Sequence, residues 1–184
     1  MGLTAHRTTP PFFHDGTERP INRPTDLDEQ RFHYSGKKKQ HTLKNLLLIA
    51  DHCWIEFLST TYEGSWHDKA MADCERYVLP AESMLYQDLG FQGFAVASVT
   101  IAQPKKKPRG GELQSDEKAA NQRIASIRMR IEHVIGSVKR CRIVKDKLRL
   151  SREHIRDQVM ETCCGLHNFR LQYRPWSYSV SHQS

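Results

Sequence analysis

The feature that most constrains the fold is the apolar run TLKNLLLIA at residues 42–50. A short apolar run between turn signals is typical of a buried strand, whereas a bilayer crossing needs roughly 18 apolar residues. Residues 53–62, CWIEFLSTTY, predict a second strand that pairs back on the first. We also expect the end of a short strand at 12–15 and further strands at 83–91 and 99–103.

Helical periodicity governs most of the remaining chain. Apolar residues spaced three and four positions apart predict three helices, over 67–78, 117–140 and 152–170. Two segments rich in proline, glycine or charge are predicted to be loops, 16–36 and 104–116. This order of strands and helices favours an α/β fold in which a mixed sheet is flanked by helices.

Length and composition are those of one compact domain. The 184 residues are 38% hydrophobic, which is enough to bury a core and excludes a disordered chain. We predict a poorly ordered segment over 1–12, one folded domain over 13–176 and a flexible tail over 177–184. Because the chain lacks both a membrane-length apolar run and an apolar signal segment, we expect a cytoplasmic protein.

The five cysteines are an odd number and form no CxxC pair. A disulfide framework or a zinc knuckle would need regular close pairs, so reduced thiols are expected. Cys163, Cys164 and His167 suggest a metal site by composition only. On one helix the two cysteines point about 100° apart, which favours packing in the core.

Positive charge is clustered along the chain. The net charge of +7 and the isoelectric point near 9.3 favour a polyanionic partner such as nucleic acid. The candidates for contacts with DNA phosphates are Lys105, Lys106, Lys107, Arg109, Arg128 and Lys139. Contacts of this kind position DNA without reading its sequence. For the lysine run, a solvated loop is an equally good interpretation.

Three carboxylates are candidates for a metal site. Asp15 and Asp88 are each predicted at the end of a strand, and they converge if the two strands are neighbours. Such a pair repels itself unless a divalent cation neutralises it. Helical geometry puts Glu132 on one face with Arg128 and Lys139, beside the apolar stripe. Turn residues and a surface ion pair remain the alternative interpretation of the same spacing.

Several phrases of the sequence recur together in a known family. They are HDGTERPI, YSGKKKQHTLKN, YEGSWHDKAMAD, LYQDLGFQGF, QPKKKPRGGEL, IRMRIEHVIGSVKRCRI and METCCGLHNFRL. The chain resembles insertion-sequence transposases of the DDE superfamily, in the branch related to Harbinger nucleases, from about residue 13 to Trp176. The resemblance implies an RNase H-like fold whose catalytic and metal-binding acids are Asp15, Asp88 and Glu132.

The resemblance also implies a chemistry. Two Mg²⁺ or Mn²⁺ ions would support hydrolysis at a transposon end, followed by attack of the freed 3′-hydroxyl on target DNA. The phrase GSWHD resembles the family's GSxHD, so His67 and Asp68 are candidate auxiliary residues near the site. For Asp68 we expect instead a role as the N-cap of its helix.

Partners follow from the same resemblance. We expect double-stranded DNA as the substrate, a homodimer on that DNA, and a bacterial cytoplasmic location near the nucleoid. Relatives usually carry a helix-turn-helix segment before the first aspartate, so a separate polypeptide with that segment is a further expected partner. Two alternatives to a full transposase are a DNA-binding remnant that cannot cut and a stand-alone nuclease without strand transfer.

Overall fold

A computed structural model of the chain describes residues 11–76, 78–149 and 152–176. These residues form seven strands, β1 (Phe12–Pro20), β2 (Tyr34–Ser35), β3 (Gln40–Ala50), β4 (Ile55–Leu58), β5 (Tyr62–Glu63), β6 (Met84–Tyr86) and β7 (Thr100–Ala102). They also form five α-helices, α1 (Leu27–His33), α2 (Asp68–Cys74), α3 (Ser115–Val138), α4 (Arg142–Lys145) and α5 (Glu153–Tyr173). A single 3₁₀ turn spans Leu89–Phe91.

The strands form one mixed sheet with β3 and β1 at its centre. The main order is β2-β3-β1-β6-β7, and β4 and β5 also pair with β3. β1 runs antiparallel to β3 along its full length, whereas β1, β6 and β7 are parallel to one another. The predicted mixed α/β sheet flanked by helices is therefore confirmed, and it is compatible with an RNase H-like fold.

The second half of β3, residues 46–50, is apolar throughout because both faces of the sheet are covered there. Leu47 and Ile49 pack with residues of α3 and α5, and Leu46 and Leu48 pack with residues of α2 and the 3₁₀ turn. Successive side chains of a strand point to opposite faces, so one apolar run serves two cores. This double burial is why the strand could be recognised from the sequence.

The prediction of a loop over 16–36 is wrong. β1 continues through Pro20, since its backbone is paired with β3 to that point. Helix α1 lies within the same range and is capped by Asp26, whose carboxylate accepts hydrogen bonds from the backbone N–H groups of Asp28 and Glu29. Such an N-cap satisfies donors that the first helical turn leaves free. Helix α1 buries none of its residues, so it has no apolar stripe to reveal it.

The predicted strand over 53–62 is interrupted. In the segment between β4 and β5, side-chain hydrogen bonds replace part of the backbone ladder to β3. The Ser59 hydroxyl accepts a hydrogen bond from Leu46 N at 2.8 Å. The Asn45 amide also donates to the carbonyls of Ser59 and Thr60, each at 3.1 Å. Polar groups in a buried strand must be satisfied in this way. The strand prediction over 83–91 was also too long, since β6 ends at Tyr86.

The helices differ from prediction mainly at their ends. Helix α2 stops at Cys74 rather than residue 78, and α3 begins at Ser115, ahead of the predicted residue 117. A reciprocal pair of bonds between Gln114 and Glu117 caps α3 at its start. The single-turn helix α4 was not predicted at all. In the described part of the chain, no helix combines the length and apolar composition needed to cross a bilayer.

The ends of the predicted domain are only partly described. Strand β1 begins at Phe12, one residue before the predicted start of the folded domain at residue 13. Residues 1–10 and 177–184 lie outside the described residues. Cys163 and Cys164 are buried in the core, as their helical spacing indicates. His167 is buried with them and contacts Ser137 Oγ at 2.9 Å and the Cys53 carbonyl at 3.0 Å. These three residues therefore pack in the core.

Candidate active site

The neighbouring parallel strands β1 and β6 bring Asp15 and Asp88 together. Phe12 pairs with Leu85 and Phe13 pairs with Tyr86. Continuing this register by two residues puts Asp15 at the level of Asp88, on strands about 4.8 Å apart. Asp15 lies inside β1 and not at its end, so that detail of the prediction was wrong. β1 continues because β3 pairs with it beyond the point where β6 ends.

The turn after β6 fixes the position of Asp88. The Asp88 carboxylate accepts a hydrogen bond from Leu89 N at 2.6 Å and caps the 3₁₀ turn. The ring of His14 packs against that of Phe91, with centroids 4.2 Å apart, which joins the turn to β1. Burial lowers the pKa of His14 to about 3, so its ring is neutral at physiological pH. His14 is therefore a packing residue beside the site.

One arginine bridges the two aspartates. Arg128 Nη2 lies 3.3 Å from Asp15 Oδ2, and Arg128 Nη1 lies 3.8 Å from Asp88 Oδ1. Asp15 Oδ1 also accepts a hydrogen bond from Gly16 N at 2.8 Å. Arg128 is buried on α3, which crosses β1 at this level. Both carboxylates are thus within reach of a single cation.

The electrostatic environment of Asp15 opposes its charge. Burial raises the pKa of Asp15 to about 6, and the negative charges of Asp88 and Asp68 act in the same direction. Arg128 and the Gly16 N–H act in the opposite direction. A desolvated carboxylate beside like charges is stabilised in its ionised form by a nearby cation. The structure therefore has a position where added positive charge is favourable.

A third carboxylate, Asp68, lies beside this pair. A Cβ atom at Gly16 would lie 3.1 Å from Asp68 Oδ1, and one at Gly90 would lie 2.8 Å from Asp68 Oδ2. The carboxylate of Asp68 therefore occupies a space between two glycines, one next to Asp15 and the other two residues beyond Asp88. The absence of a side chain at both positions is what allows this close approach.

Lys44 holds Asp68 in that space. Lys44 Nζ lies 3.4 Å from Asp68 Oδ1 and donates a hydrogen bond to the Trp66 carbonyl at 2.7 Å. The expected N-cap role of Asp68 is wrong, because Asp68 is the first residue of α2 and His67 occupies the cap position. The His67 side chain makes no capping hydrogen bond and is exposed.

Helix α3 carries Glu132 one turn beyond Arg128, the residue that contacts both aspartates. Arg128 contacts Asp15, and farther along the helix Lys139 Nζ donates to the Glu18 carbonyl at 3.0 Å. Glu132 lies between them, one turn from Arg128, which is about 6 Å along the axis and about 40° around it. Its side chain is exposed and lines an open depression with His133, Gly136 and Trp176.

The three predicted acids do not form one closed metal cage. In residues 11–76, 78–149 and 152–176, no group of three His, Cys, Asp or Glu side chains is arranged to hold a metal ion. Asp15 and Asp88 fit a divalent cation, because both are carboxylates and both already reach the same guanidinium. Oxygen donors of this type suit Mg²⁺ and Mn²⁺.

The basic residues divide into exposed and engaged groups. Lys105 is anchored to α3, since its backbone N–H donates to the Asn121 side chain at 2.8 Å and its ammonium pairs with Glu117. Lys106, Lys107 and Arg109 are exposed. Burial lowers the pKa of Lys139, which is half-buried beside β1. Arg128 contacts the two aspartates in this structure, and its contact with DNA stays a prediction.

Sequence analysis missed Lys44, Gly16 and Gly90 as parts of the site. A signal for Lys44 was present, because a lysine in an apolar, doubly covered strand must find a partner to be buried. Lys44 is 8% exposed. The two glycines carried no signal, since their role depends on the approach of Asp68 from another element.

Comparison with known proteins places these residues in a wider context. The family described as DDE superfamily endonuclease matches residues 14–168, a range that includes all three candidate acids. A protein of Microchaete diplosiphon described as "Probable transposase for insertion sequence element IS702" is 28% identical over 158 residues. The alignment covers 85% of this chain and 56% of that protein, so the chain spans little more than half of the relative's length. No solved structure matches the chain.

Proposed function

Because the chain belongs to the DDE superfamily endonucleases, we propose that it contains the catalytic domain of a transposase that cuts DNA and joins the freed end to a target. The observation that carries this proposal is the pairing of Asp15 with Asp88 around one buried cation, Arg128. The name of the Microchaete relative supports the transposase assignment. The Harbinger-related branch stays a prediction.

We assign metal binding to Asp15, Asp88 and Glu132. The two aspartates supply carboxylate oxygens from the sheet, and Glu132 supplies a third carboxylate from α3 after a local adjustment of its exposed side chain. Bound Mg²⁺ or Mn²⁺, two ions in our proposal, would lower the pKa of an attacking water or 3′-hydroxyl and stabilise the leaving oxygen. His67 and Asp68 are auxiliary, and Asp68 positions the backbone beside both aspartates.

We assign contacts with the DNA backbone to the basic residues near this site. Lys106, Lys107 and Arg109 project from the loop that precedes α3, and Lys139 is the C-cap of α3. Lys105 contributes chiefly by anchoring that loop. Contacts with phosphates orient the duplex toward the carboxylates without reading its sequence.

The partners of this chain are proposed on the same basis as its function. Transposition acts on two DNA ends, so we propose a homodimer on DNA in the bacterial cytoplasm. Because the chain matches 56% of the relative's length, we propose that recognition of transposon ends needs a helix-turn-helix segment outside the matched region.

A nicking assay tests the catalytic assignment. End-labelled duplex DNA is incubated with the protein and Mg²⁺ or Mn²⁺, and the Asp88→Asn and Glu132→Gln variants are compared with Asp146→Asn. Asp146 is an acid paired with Arg142 outside the site, so this control variant should nick like the wild type. We expect both site variants to lose at least about a hundredfold in rate. Equal nicking by all three variants would remove the triad from the mechanism.

The same assay separates the alternatives. A DNA-binding remnant would retard the duplex in a gel and cut nothing with either metal. A stand-alone nuclease would cut but would not join the labelled 3′ end to a target plasmid. A transposase domain produces both the nick and the joined product.

A further inference from the structure

The position of Arg128 is unusual for a residue expected to contact DNA. Its side chain is 9% exposed, and its guanidinium faces Asp15 and Asp88 rather than solvent. The Nε atom is buried, and no described residue accepts a hydrogen bond from it. Arg128 is therefore held by the charge of two carboxylates and has one polar group left unsatisfied.

We propose that Arg128 is an internal counter-cation, which takes the place of the metal in the metal-free protein and is displaced onto a DNA phosphate when a divalent ion binds. This inference rests on the proposed function, because it concerns the same two aspartates. It adds a coupling between metal binding and DNA binding that the metal ligands alone would not provide.

Competition follows from the charges and the geometry. An arginine side chain stays protonated in proteins, so Arg128 cannot lose its charge when a metal ion approaches. A divalent ion that takes up the oxygens of Asp15 and Asp88 would lie within a few ångströms of a guanidinium in a partly desolvated site, where like charges repel strongly. Ion and guanidinium therefore exclude each other from the space between the carboxylates.

The existing contacts are weak enough to be exchanged. Charge-assisted N–H···O bonds are strongest at about 2.7–2.9 Å, whereas the Arg128 contacts measure 3.3 Å to Asp15 and 3.8 Å to Asp88. The unpaired Nε adds a desolvation penalty that is relieved when the guanidinium moves toward water or phosphate. Breaking this bridge thus costs less than breaking a close bidentate pair.

DNA offers the released side chain a better partner. The planar guanidinium donates two parallel bonds to a phosphate, a geometry that neither aspartate provides here. If a phosphate holds Arg128 away from the carboxylates, the metal ion binds without a competitor. By linkage, DNA must then raise the affinity for metal by the same factor as metal raises the affinity for DNA.

Manganese titration tests the competition. Free Mn²⁺ is measured by electron paramagnetic resonance for the wild type, for Arg128→Gln and for Arg142→Gln, an exposed arginine that removes the same charge away from the site. We expect Arg128→Gln to bind Mn²⁺ about tenfold more tightly than the wild type, a factor within the usual range of coupling between sites. Arg142→Gln should match the wild type.

The coupling is tested by adding duplex DNA to the same titrations. We expect DNA to raise the Mn²⁺ affinity of the wild type by about tenfold and to leave that of Arg128→Gln nearly unchanged. The gain in Arg128→Gln should vanish when Asp88→Asn is added, which assigns the tighter binding to this site. If circular dichroism shows that Arg128→Gln is unfolded, Arg128→Met replaces it, because it also removes the positive charge and leaves no buried polar group to be satisfied.

The outcomes are distinguishable. Equal or weaker Mn²⁺ binding by the folded Arg128 variant would overturn the counter-cation and leave the proposed catalytic site standing. A wild type and variants that all fail to bind Mn²⁺, with or without DNA, would overturn both proposals. Tighter binding by the variant, lost again with Asp88→Asn, supports the inference.

Discussion

Asp15 lies at the level of Asp88 across two neighbouring parallel strands. Asp15 is inside β1, and Asp88 follows the end of β6. This relationship comes from the sheet and not from nearness in sequence. It places the two carboxylates side by side facing α3, from which Arg128 bridges them.

The buried charge of Asp15 makes stability depend on pH. The pKa of Asp15 is raised to about 6 in the folded protein from 3.8 in the unfolded chain, so the folded state binds more protons between these values. Stability must therefore fall as the pH rises through this window. Relative to Asp15→Asn, we expect the wild type to lose up to about 3 kcal/mol between pH 4 and pH 7. Urea unfolding in EDTA at both pH values measures the difference.

A constant difference between the wild type and Asp15→Asn across that pH range would contradict the prediction. Adding Mn²⁺ at pH 7 should restore the stability of the wild type, because the ion binds the folded site and not the unfolded chain. The stability of Asp15→Asn should stay unchanged.

The ion pair between Lys44 and Asp68 should be strongly coupled. Both side chains are largely buried, so removing one partner leaves a charge in a poorly hydrated place. We expect a double-mutant cycle with Lys44→Met and Asp68→Asn to give a coupling free energy of about 1–3 kcal/mol. The exposed pair of Lys69 and Asp73 on the same helix is the control, with about 0.5 kcal/mol or less.

Gly90, one of the two glycines beside Asp68, should be required for activity more than for folding. A methyl group at Gly90 would displace the Asp68 carboxylate, which is a movable side chain. We expect Gly90→Ala to cost about 1 kcal/mol of stability and to lower nicking about tenfold. Gly165, on α5 with open space around its Cβ position, is the control, and Gly165→Ala should stabilise the fold by up to about 1 kcal/mol. Full nicking by Gly90→Ala would separate Asp68 from the reaction.

The exposed lysines of the loop before α3 should determine the salt dependence of DNA binding. We expect Lys106→Gln with Lys107→Gln to reduce the slope of log affinity against log salt by about 2, roughly one for each lost phosphate contact. Lys105→Gln should change this slope by less, because Lys105 is paired with Glu117. Fluorescence anisotropy at a series of salt concentrations gives the slopes. An unchanged slope in the double variant would show that these lysines are merely solvated.

The sequence indicated those elements whose burial leaves a recognisable pattern of apolar residues. Strand β3 could be predicted because both of its faces are covered, and α3 and α5 because each has one apolar stripe. Helix α1 was missed since it buries nothing, and its only signal is the cap at Asp26. Local pattern therefore revealed the long elements that pack, and it missed both α1, which buries nothing, and α4, whose single turn is too short to show a period.

Contacts between distant elements were harder to foresee. The neighbourhood of Asp15 and Asp88 was predicted from strand ends and family resemblance, although β1 proved longer than its apolar residues suggest. The approach of Asp68 to Gly16 and Gly90 depends on how α2 sits on the sheet, which no spacing encodes. For Arg128, helical spacing gave the right face of α3 but not its partners, because the charges it meets lie on other strands.

We propose that Asp15, Asp88 and Glu132 bind the same metal ions, and iron-directed cleavage is the sharpest test of this shared site. Fe²⁺ bound in place of Mg²⁺, with ascorbate and peroxide, cuts the backbone next to its ligands. We expect fragments that end near residues 15, 88 and 132, and we expect excess Mg²⁺ or the Asp88→Asn change to suppress all three cuts together. Cuts confined to other parts of the chain, or cuts that persist in Asp88→Asn, would contradict it.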